Sequence, residues 1–436
     1  MNPAPTARRR LFVLLTVAGL WVFAEAASWL VLTLADGVSA DGGVSTLSEA
    51  HRAILTRFVE GDRPSHVAHS PTLGWTASPG AQGEYRICRY GLRSEADRRP
   101  ELPAGRVRIA TFGDSFTFGA EVNGLLTFQE VLMRLRPDLE VLNFGVPGYG
   151  PDQAYLRFLA ERPLWRPDVV VLGFMTENFN RVVNTFRPFY LPQTGLPFAK
   201  PRFLLAADGL ELVPNPLPDL RDYRRLLERP GPVLERLAEH DFYARGWARP
   251  RLWGRLPTVR LVRRALRLWP GESTSALAAA AAGADHEGVE ITRRLFDRFH
   301  LEAEAAGSTP VILLFPRQQD IGLYRRGQPV PYSPLIDHLE VRTYSYVDLL
   351  GALGDRPESP RELADPHFTP RAHAYAAVEI LRHLQREGWV PAGEVPPGVR
   401  AELARALAAS DSYSRLDPAT RRWVQAQAER GLDAVL

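Results

Sequence analysis

Cysteine occurs once in this 436-residue chain, at Cys88, and lysine once, at Lys200. A single thiol excludes an intramolecular disulfide and any metal site built from several cysteines. With one lysine, all the other members of the 53 basic residues are arginine. They are spread along the chain among 50 acidic residues, so the formal charge of +3 gathers into no basic stripe and leaves no nucleic-acid footprint. The ten histidines show no metal-ligand spacing, and neither a metal ion nor another cofactor is expected. No internal repeat is visible. What the chain does have is 45% hydrophobic residues, enough for a sizeable core, and a length beyond one average domain but short of three.

The longest apolar run follows Arg8, Arg9 and Arg10 and extends from Leu11 to about Ala35. As a helix it would span about 37 Å, enough to cross a hydrocarbon core of about 30 Å with some tilt. The arginines should hold residues 1–10 in the cytoplasm, which places everything beyond residue 36 outside. Glu25 interrupts the run, at a cost of roughly 2.5–3.5 kcal/mol near a bilayer centre, which the surrounding Leu, Val, Phe and Trp can offset. The rival reading is a cleaved signal peptide with Ala24-Glu25-Ala26 as its small-residue cleavage site. The apolar Trp29–Leu34 beyond that site favours an uncleaved signal anchor over residues 11–35, and either reading exports the chain.

Residues 36–105 read as a linker, a short amphipathic helix and a pre-domain segment rich in Gly, Pro and Arg. Order is clearest afterwards. Val107–Phe112, Leu139–Phe144, Val169–Phe174 and Val311–Phe315 are short apolar runs of buried-strand type, with Tyr346–Leu349 as a last strand. Between them, Thr127–Leu135, a helix capped by Asp152, Gly288–Ala306 and Pro370–Arg386 carry helical patterning. Strands alternating with helices imply a parallel sheet covered on both faces. The alternation stops over about 181–287, which reads as an insertion with a hairpin at Phe203–Val213, an arginine-rich helix Thr258–Trp269 and the alanine run Ala278–Ala282. Residues 391–436 read as a helical extension.

Ligands of open parallel sheets sit beyond the carboxyl ends of the strands, and polar residues gather there. The first strand ends in Gly113-Asp114-Ser115, the second in Asn143-Phe144-Gly145, and the third leads through Thr176-Glu177 to Asn178. Asp365-Pro366-His367 precedes the closing helix. A serine hydroxyl needs a base to become a nucleophile. His367 is the candidate base, and Asp365 the acid that fixes its tautomer and steadies the imidazolium. The backbone N–H groups of Ser115 and Gly145 and the side-chain amide of Asn178 would receive the oxyanion. Gly145 is expected to be glycine because backbone must approach the substrate there. Gly113 and Asp114 support the turn, Asp114 through its side chain. His373 reads as a structural histidine, Tyr149 and Phe116–Phe118 as pocket lining or core, and Arg260–Arg267 as a solvated helix face or a lipid-headgroup contact.

The order Gly-Asp-Ser, Gly, Asn, Asp-x-His resembles the SGNH/GDSL hydrolase superfamily, with Ser115, Gly145, Asn178 and His367 at the four marker positions. The resemblance covers about residues 70–180 and 288–390. It implies a three-layer α/β/α, flavodoxin-like domain, here over 106–390, with the amino-terminal transmembrane helix and the large insertion added. His69–Trp75, Tyr85–Arg93, Val146–Gly150 and Glu25 are similar to a membrane-anchored bacterial branch, although Cys88 stands where that branch often has Asn. The third block reads Glu177-Asn178-Phe179 where the family commonly has Gly-Asn-Asp. The closing block has Asp-x-His in place of the commoner Asp-x-x-His, a spacing also found in the alginate O-acetyltransferase group.

The resemblance implies a serine esterase cleaving acyl esters, acetyl esters foremost, outside the cytoplasmic membrane through an acyl-enzyme on Ser115. The expected partners are an acyl-ester substrate, from cell-envelope carbohydrate or lipid, and the membrane through residues 11–35. Acyl transfer to a cell-surface polysaccharide uses the same triad and is the alternative; a catalytically idle carbohydrate-binding protein on this fold is the second. A fluorophosphonate probe is expected to label the folded protein at Ser115 and to leave Ser115→Ala unlabelled. Absence of labelling in folded wild-type protein would favour the binding protein.

Overall fold

The structure is a computed structural model describing residues 5–36, 47–61, 67–82, 85–207, 209–244, 256–259, 261–262 and 286–408. Helix α1 (Pro5–Asp36) contains an apolar stretch, Phe12–Thr33, of mean hydropathy 1.7, with almost none of it buried against protein. That stretch is long and apolar enough to cross a membrane, and a signal sequence would meet the same description.

Five apolar runs form the sheet: β1 (Val107–Phe112), β2 (Leu139–Asn143), β3 (Val169–Met175), β4 (Thr309–Phe315) and β5 (Tyr346–Asp348). Their order is β5–β4–β3–β1–β2 and every pairing is parallel. This is the flavodoxin-like doubly wound order, whose topological switch lies between β1 and β3. Every residue of β2 and β3 is buried, which explains why these strands show no polar alternation. The short helix α2 (Ser115–Phe118) follows β1, and α3 (Phe128–Leu135), α4 (Pro151–Trp165), α5 (Asn178–Val182), α6 (Glu287–Ala305) and α7 (Pro370–Arg386) follow in order. Helices α4 and α6 pack together on one face of the sheet, and α3 and α7 on the other. Each presents an apolar stripe inward, as in Leu295, Phe296 and Phe299 of α6 and Ala376, Ile380 and Leu384 of α7. Burial of one such Leu or Phe side chain contributes about 1.5–3 kcal/mol.

Two features differ from the sequence reading. Asp152 does not cap α4. Gly150 holds the cap position and Pro151 begins the helix, while Asp152 lies fully buried with the Lys200 ammonium on its carboxylate. Lys200 also donates to Pro201 O at 3.0 Å. Burial raises the pKa of Asp152 and lowers that of Lys200, and their mutual attraction opposes both shifts. Second, the segment before the sheet is more than a linker. The expected short helix, at Glu49–Glu60, and two small hairpins, Val67–Ser70 with Gly74–Ala77 and Gly80–Gln82 with Tyr85–Ile87, share a second apolar core with the insertion. Leu55, Phe58 and Trp75 meet Phe186, Phe198, Tyr223 and Leu237 there, and Phe118, Val146 and Tyr149 bring this core to the carboxyl end of the sheet. Within the insertion, Arg202–Ala206 and Gly209–Val213 form the expected hairpin, while most of Thr258–Trp269, all of Ala278–Ala282 and everything after residue 408 lie outside the described residues.

The amino-terminal edge of the sheet is locked by Arg108. Its guanidinium donates to Glu140 Oε2 (2.5 Å) and to the carbonyls of Pro100 (2.6 Å), Trp165 (2.7 Å) and Arg99 (3.0 Å). Arg108→Ala strands the buried Glu140 charge and three carbonyls, so the expected loss is about 3–5 kcal/mol of stability. Thermal unfolding should show a drop of several degrees. Because Arg108 lies at the end of β1 away from Ser115, fluorophosphonate labelling well below the transition should be retained.

Candidate active site

β1 ends at Phe112, and Gly113 and Asp114 turn the chain into α2 with Ser115 as its first residue. The Asp114 side chain caps that helix, accepting from Phe116 N–H at 2.9 Å. Its other oxygen accepts from Arg181 Nη1 at 3.0 Å. Burial raises the Asp114 pKa above its ordinary value, opposed by Arg181 and the Phe116 N–H. Glycines let this turn sit low on the sheet. A Cβ at Gly113 would lie 2.1 Å from Thr117 Oγ1, one at Gly173 2.3 Å from the same atom, and one at Gly145 2.3 Å from Phe118 N. Gly145 therefore has a reason in the protein itself: it admits the backbone of α2, whether or not its own backbone also approaches a substrate.

Ser115 Oγ lies 3.0 Å from His367 Nε2, hydrogen-bonding distance, although the two are far apart in sequence. The imidazole leans on Phe116 at a ring separation of 5.4 Å. The other nitrogen, Nδ1, faces Glu121 Oε2 at 3.4 Å. The structure does not bring Asp365 to that nitrogen. The Asp365 carboxylate is held by Arg361 Nε at 2.6 Å, one helical turn earlier, and its N–H donates to His367 O at 2.9 Å. With one intervening residue, the Asp365–His367 segment closes into a tight turn flanked by an Ala364–Phe368 bridge. The Asp365 carboxylate thus leaves on the solvent side of the turn, and the expected contact between it and the His367 imidazole is not made.

The three expected oxyanion donors also differ in availability. Among the described residues the Ser115 N–H has no internal acceptor. The Gly145 N–H is engaged by Asn143 Oδ1 at 3.0 Å, while Asn143 Nδ2 donates to Phe118 O at 3.1 Å. The Asn178 amide, oriented to satisfy both its neighbours, donates to Asp114 Oδ2 at 3.1 Å and accepts from Met175 N–H at 3.2 Å. One hydrogen of that amide remains for another acceptor. Ser115 and Asn178 therefore have donors to offer in this state, whereas Gly145 would have to share one.

Residues beyond the sequence reading complete the surroundings. Arg181 joins Asp114 to Glu177, lying 3.6 Å from the Glu177 carboxylate, and also donates to Tyr149 O at 2.9 Å. Burial opposes the Glu177 charge, but Arg181, Arg187 and Arg317 together outweigh it and hold the carboxyl below its ordinary pKa. Glu177, where the related motif commonly has glycine, is thus an anchor for guanidinium groups. Arg93 donates to the carbonyls of Phe118, Gly119 and Val122, and Tyr85 Oη accepts from Glu121 N–H at 2.8 Å. The Gly91-Leu92-Arg93 stretch was the available signal for Arg93; nothing in spacing pointed to Glu121. His373 is buried on α7, accepts from Phe128 N–H at 3.3 Å and has its pKa pushed down to about 3 by burial, with Arg93 and His367 adding to the effect. It is a neutral structural acceptor.

No family model matches the chain, and no curated protein matches it in sequence. Solved structures similar to it include a protein assigned to the G-D-S-L lipolytic family from Desulfitobacterium hafniense DCB-2, at 12% identity over 64% of this chain and 100% of that one, TM-score 0.32. The psychrotrophic esterase EstA from Pseudoalteromonas sp. is similar at 10% identity over 65% of this chain and 99% of that one, TM-score 0.31. A catalytic mutant of the acetylxylan esterase Axe2 from Geobacillus stearothermophilus is similar at 11% identity over 65% and 96%, TM-score 0.31. At such identities and scores, the chemistry of the site has to be read from its own geometry.

His367→Ala removes the only base within hydrogen-bonding reach of Ser115 Oγ among the described residues. Ester turnover by this variant is expected to fall by about a thousandfold or more, with its unfolding temperature little changed. Near-normal turnover would remove His367 from the mechanism.

Proposed function

We propose that this chain is an SGNH/GDSL-type serine esterase, cleaving acyl esters, acetyl esters foremost, on the outer side of the cytoplasmic membrane. The observation that carries the reading is the 3.0 Å contact between Ser115 Oγ and His367 Nε2, placed beyond the carboxyl end of β1. In an open parallel sheet that is where ligands bind, and here it adjoins the β1–β3 switch.

His367 Nε2 takes the proton from Ser115 Oγ as the oxygen attacks the ester carbonyl. The carbonyl oxygen becomes an oxyanion, for which the Ser115 N–H and the remaining Asn178 N–H are the donors in place, with Gly145 as a third if Asn143 shares it. One such donor is worth about 2.7–4 kcal/mol of barrier. The imidazolium returns its proton to the leaving alcohol, and the acyl group stays on Ser115. Water, deprotonated by His367, then attacks the acyl carbonyl; the bond to Ser115 Oγ breaks, the imidazolium returns the proton to that oxygen, and the acid is released. The apolar stretch Phe12–Thr33 supports attachment to a membrane, with Arg9 on its amino-terminal side favouring a cytoplasmic amino end.

The deciding experiment supplies an aryl acetate together with an acetyl-free oligosaccharide. Free acetate is expected to account for the aryl alcohol released by wild-type protein, and Ser115→Ala should release neither. Acetylated oligosaccharide formed faster than free acetate would replace the esterase reading with that of an O-acetyltransferase.

A further inference from the structure

We propose that Glu121, and not Asp365, is the positioning residue that orients the His367 imidazole toward Ser115; this rests on the serine-esterase reading above. For Nε2 to accept the serine proton, the neutral imidazole must carry its own proton on Nδ1. A carboxylate beside Nδ1 selects that tautomer and steadies the imidazolium formed during turnover. Among the described residues, Glu121 is the only carboxylate within ion-pair range of His367, at 3.4 Å. His367 Nδ1 is buried and makes no hydrogen bond in this structure, so the Glu121 carboxylate beside it is the acceptor that a small side-chain movement would engage. The alternative acid, Asp365, is bound to Arg361 at 2.6 Å and turned outward.

Two further observations show that Glu121 is held in place. Its backbone is left-handed, with φ at +65°, a region that favours glycine and is strained for a residue with a Cβ. Such strain persists only where the surroundings impose it, and they do. Tyr85 Oη takes the Glu121 N–H, Arg93 gathers the carbonyls of Phe118, Gly119 and Val122, and Ala120 N–H returns to Ser115 O at 2.9 Å. The turn carrying Glu121 is thereby tied to the nucleophile's own carbonyl. Its side chain is 55% exposed and makes no other ion pair among the described residues, so packing does not explain why a carboxylate stands there.

The full-length protein in detergent tests the assignment. Glu121→Gln is expected to lower kcat by about 10²–10⁴-fold with KM within about threefold, while Asp365→Asn stays within about threefold of wild type in both. In histidine-selective nitrogen-15 spectra, the downfield His367 Nδ1–H resonance should be lost in Glu121→Gln and kept in Asp365→Asn. Glu121→Gly separates this role from a structural one. Glycine relieves the left-handed strain, so this variant should melt at a higher temperature than wild type and still lose turnover as Glu121→Gln does. Normal turnover in Glu121→Gln, or loss in Asp365→Asn in its place, overturns the assignment. If Ser115→Ala keeps full activity, the esterase site itself is misplaced, an outcome distinct from the failure of Glu121.

Discussion

Thr117 lies against the sheet where two neighbouring strands offer no Cβ. Gly113 at the end of β1 and Gly173 within β3 leave the space its hydroxyl fills, and Gly145 beyond β2 admits the backbone of Thr117 and Phe118. A methyl group at any of these positions would meet α2 at 2.3 Å or less, far inside van der Waals contact. The turn would then have to rise off the sheet, carrying Ser115 with it. The depth of Ser115, its distance to His367 and the reach of the Asp114 carboxylate to Arg181 all follow from this close seating. Preorganisation here is a matter of exclusion: the turn has one place to lie, so the hydroxyl has little conformational freedom to lose when a substrate arrives.

The second constraint comes from outside the sheet. Tyr85 and Arg93 precede β1 in the chain, yet they grip the far end of the turn that begins at Ser115. Both belong to the segment whose apolar side chains share a core with the insertion. The turn carrying Ser115 is consequently clamped between the sheet beneath it and a second small core beside it. Change in the second core is mechanically close to the site, and Tyr149, which packs edge-on against Trp75, shares its carbonyl with the Arg181 that holds Asp114.

Much of this was legible in the sequence, for identifiable reasons. Strands buried on both faces are largely apolar, so Val107–Phe112, Val169–Phe174 and Val311–Phe315 announce themselves without any knowledge of their partners, with the paired Arg108 as the charged exception. Ser115, Gly145, Asn178 and His367 are marked by position at strand and helix ends, a local property. What stayed hidden depends on long-range geometry. Asp365 is the nearest acid to His367 along the chain, and the turn between them directs it to Arg361. Glu121 is distant in sequence, and only the fold lays it beside Nδ1. The Gly145 N–H looked free because a sequence cannot show that Asn143 curls back to take it. Asp152 stood where a cap belongs, and its true partner, Lys200, lies within the insertion. The linker-like composition before β1 concealed Trp75 and Phe58, whose burial depends on residues more than a hundred positions later.

The buried pair of Lys200 and Asp152 has a consequence for the proposed chemistry, in which a serine would carry the acyl group. Lys200 is the chain's one lysine, and it is sealed from solvent. The surface cations are guanidinium groups, which stay protonated and do not take up acyl groups at neutral pH. Apart from the terminal α-amine, the exterior holds no amine for an activated ester to modify. Under the proposed function, an activated ester would meet no lysine to modify at the surface.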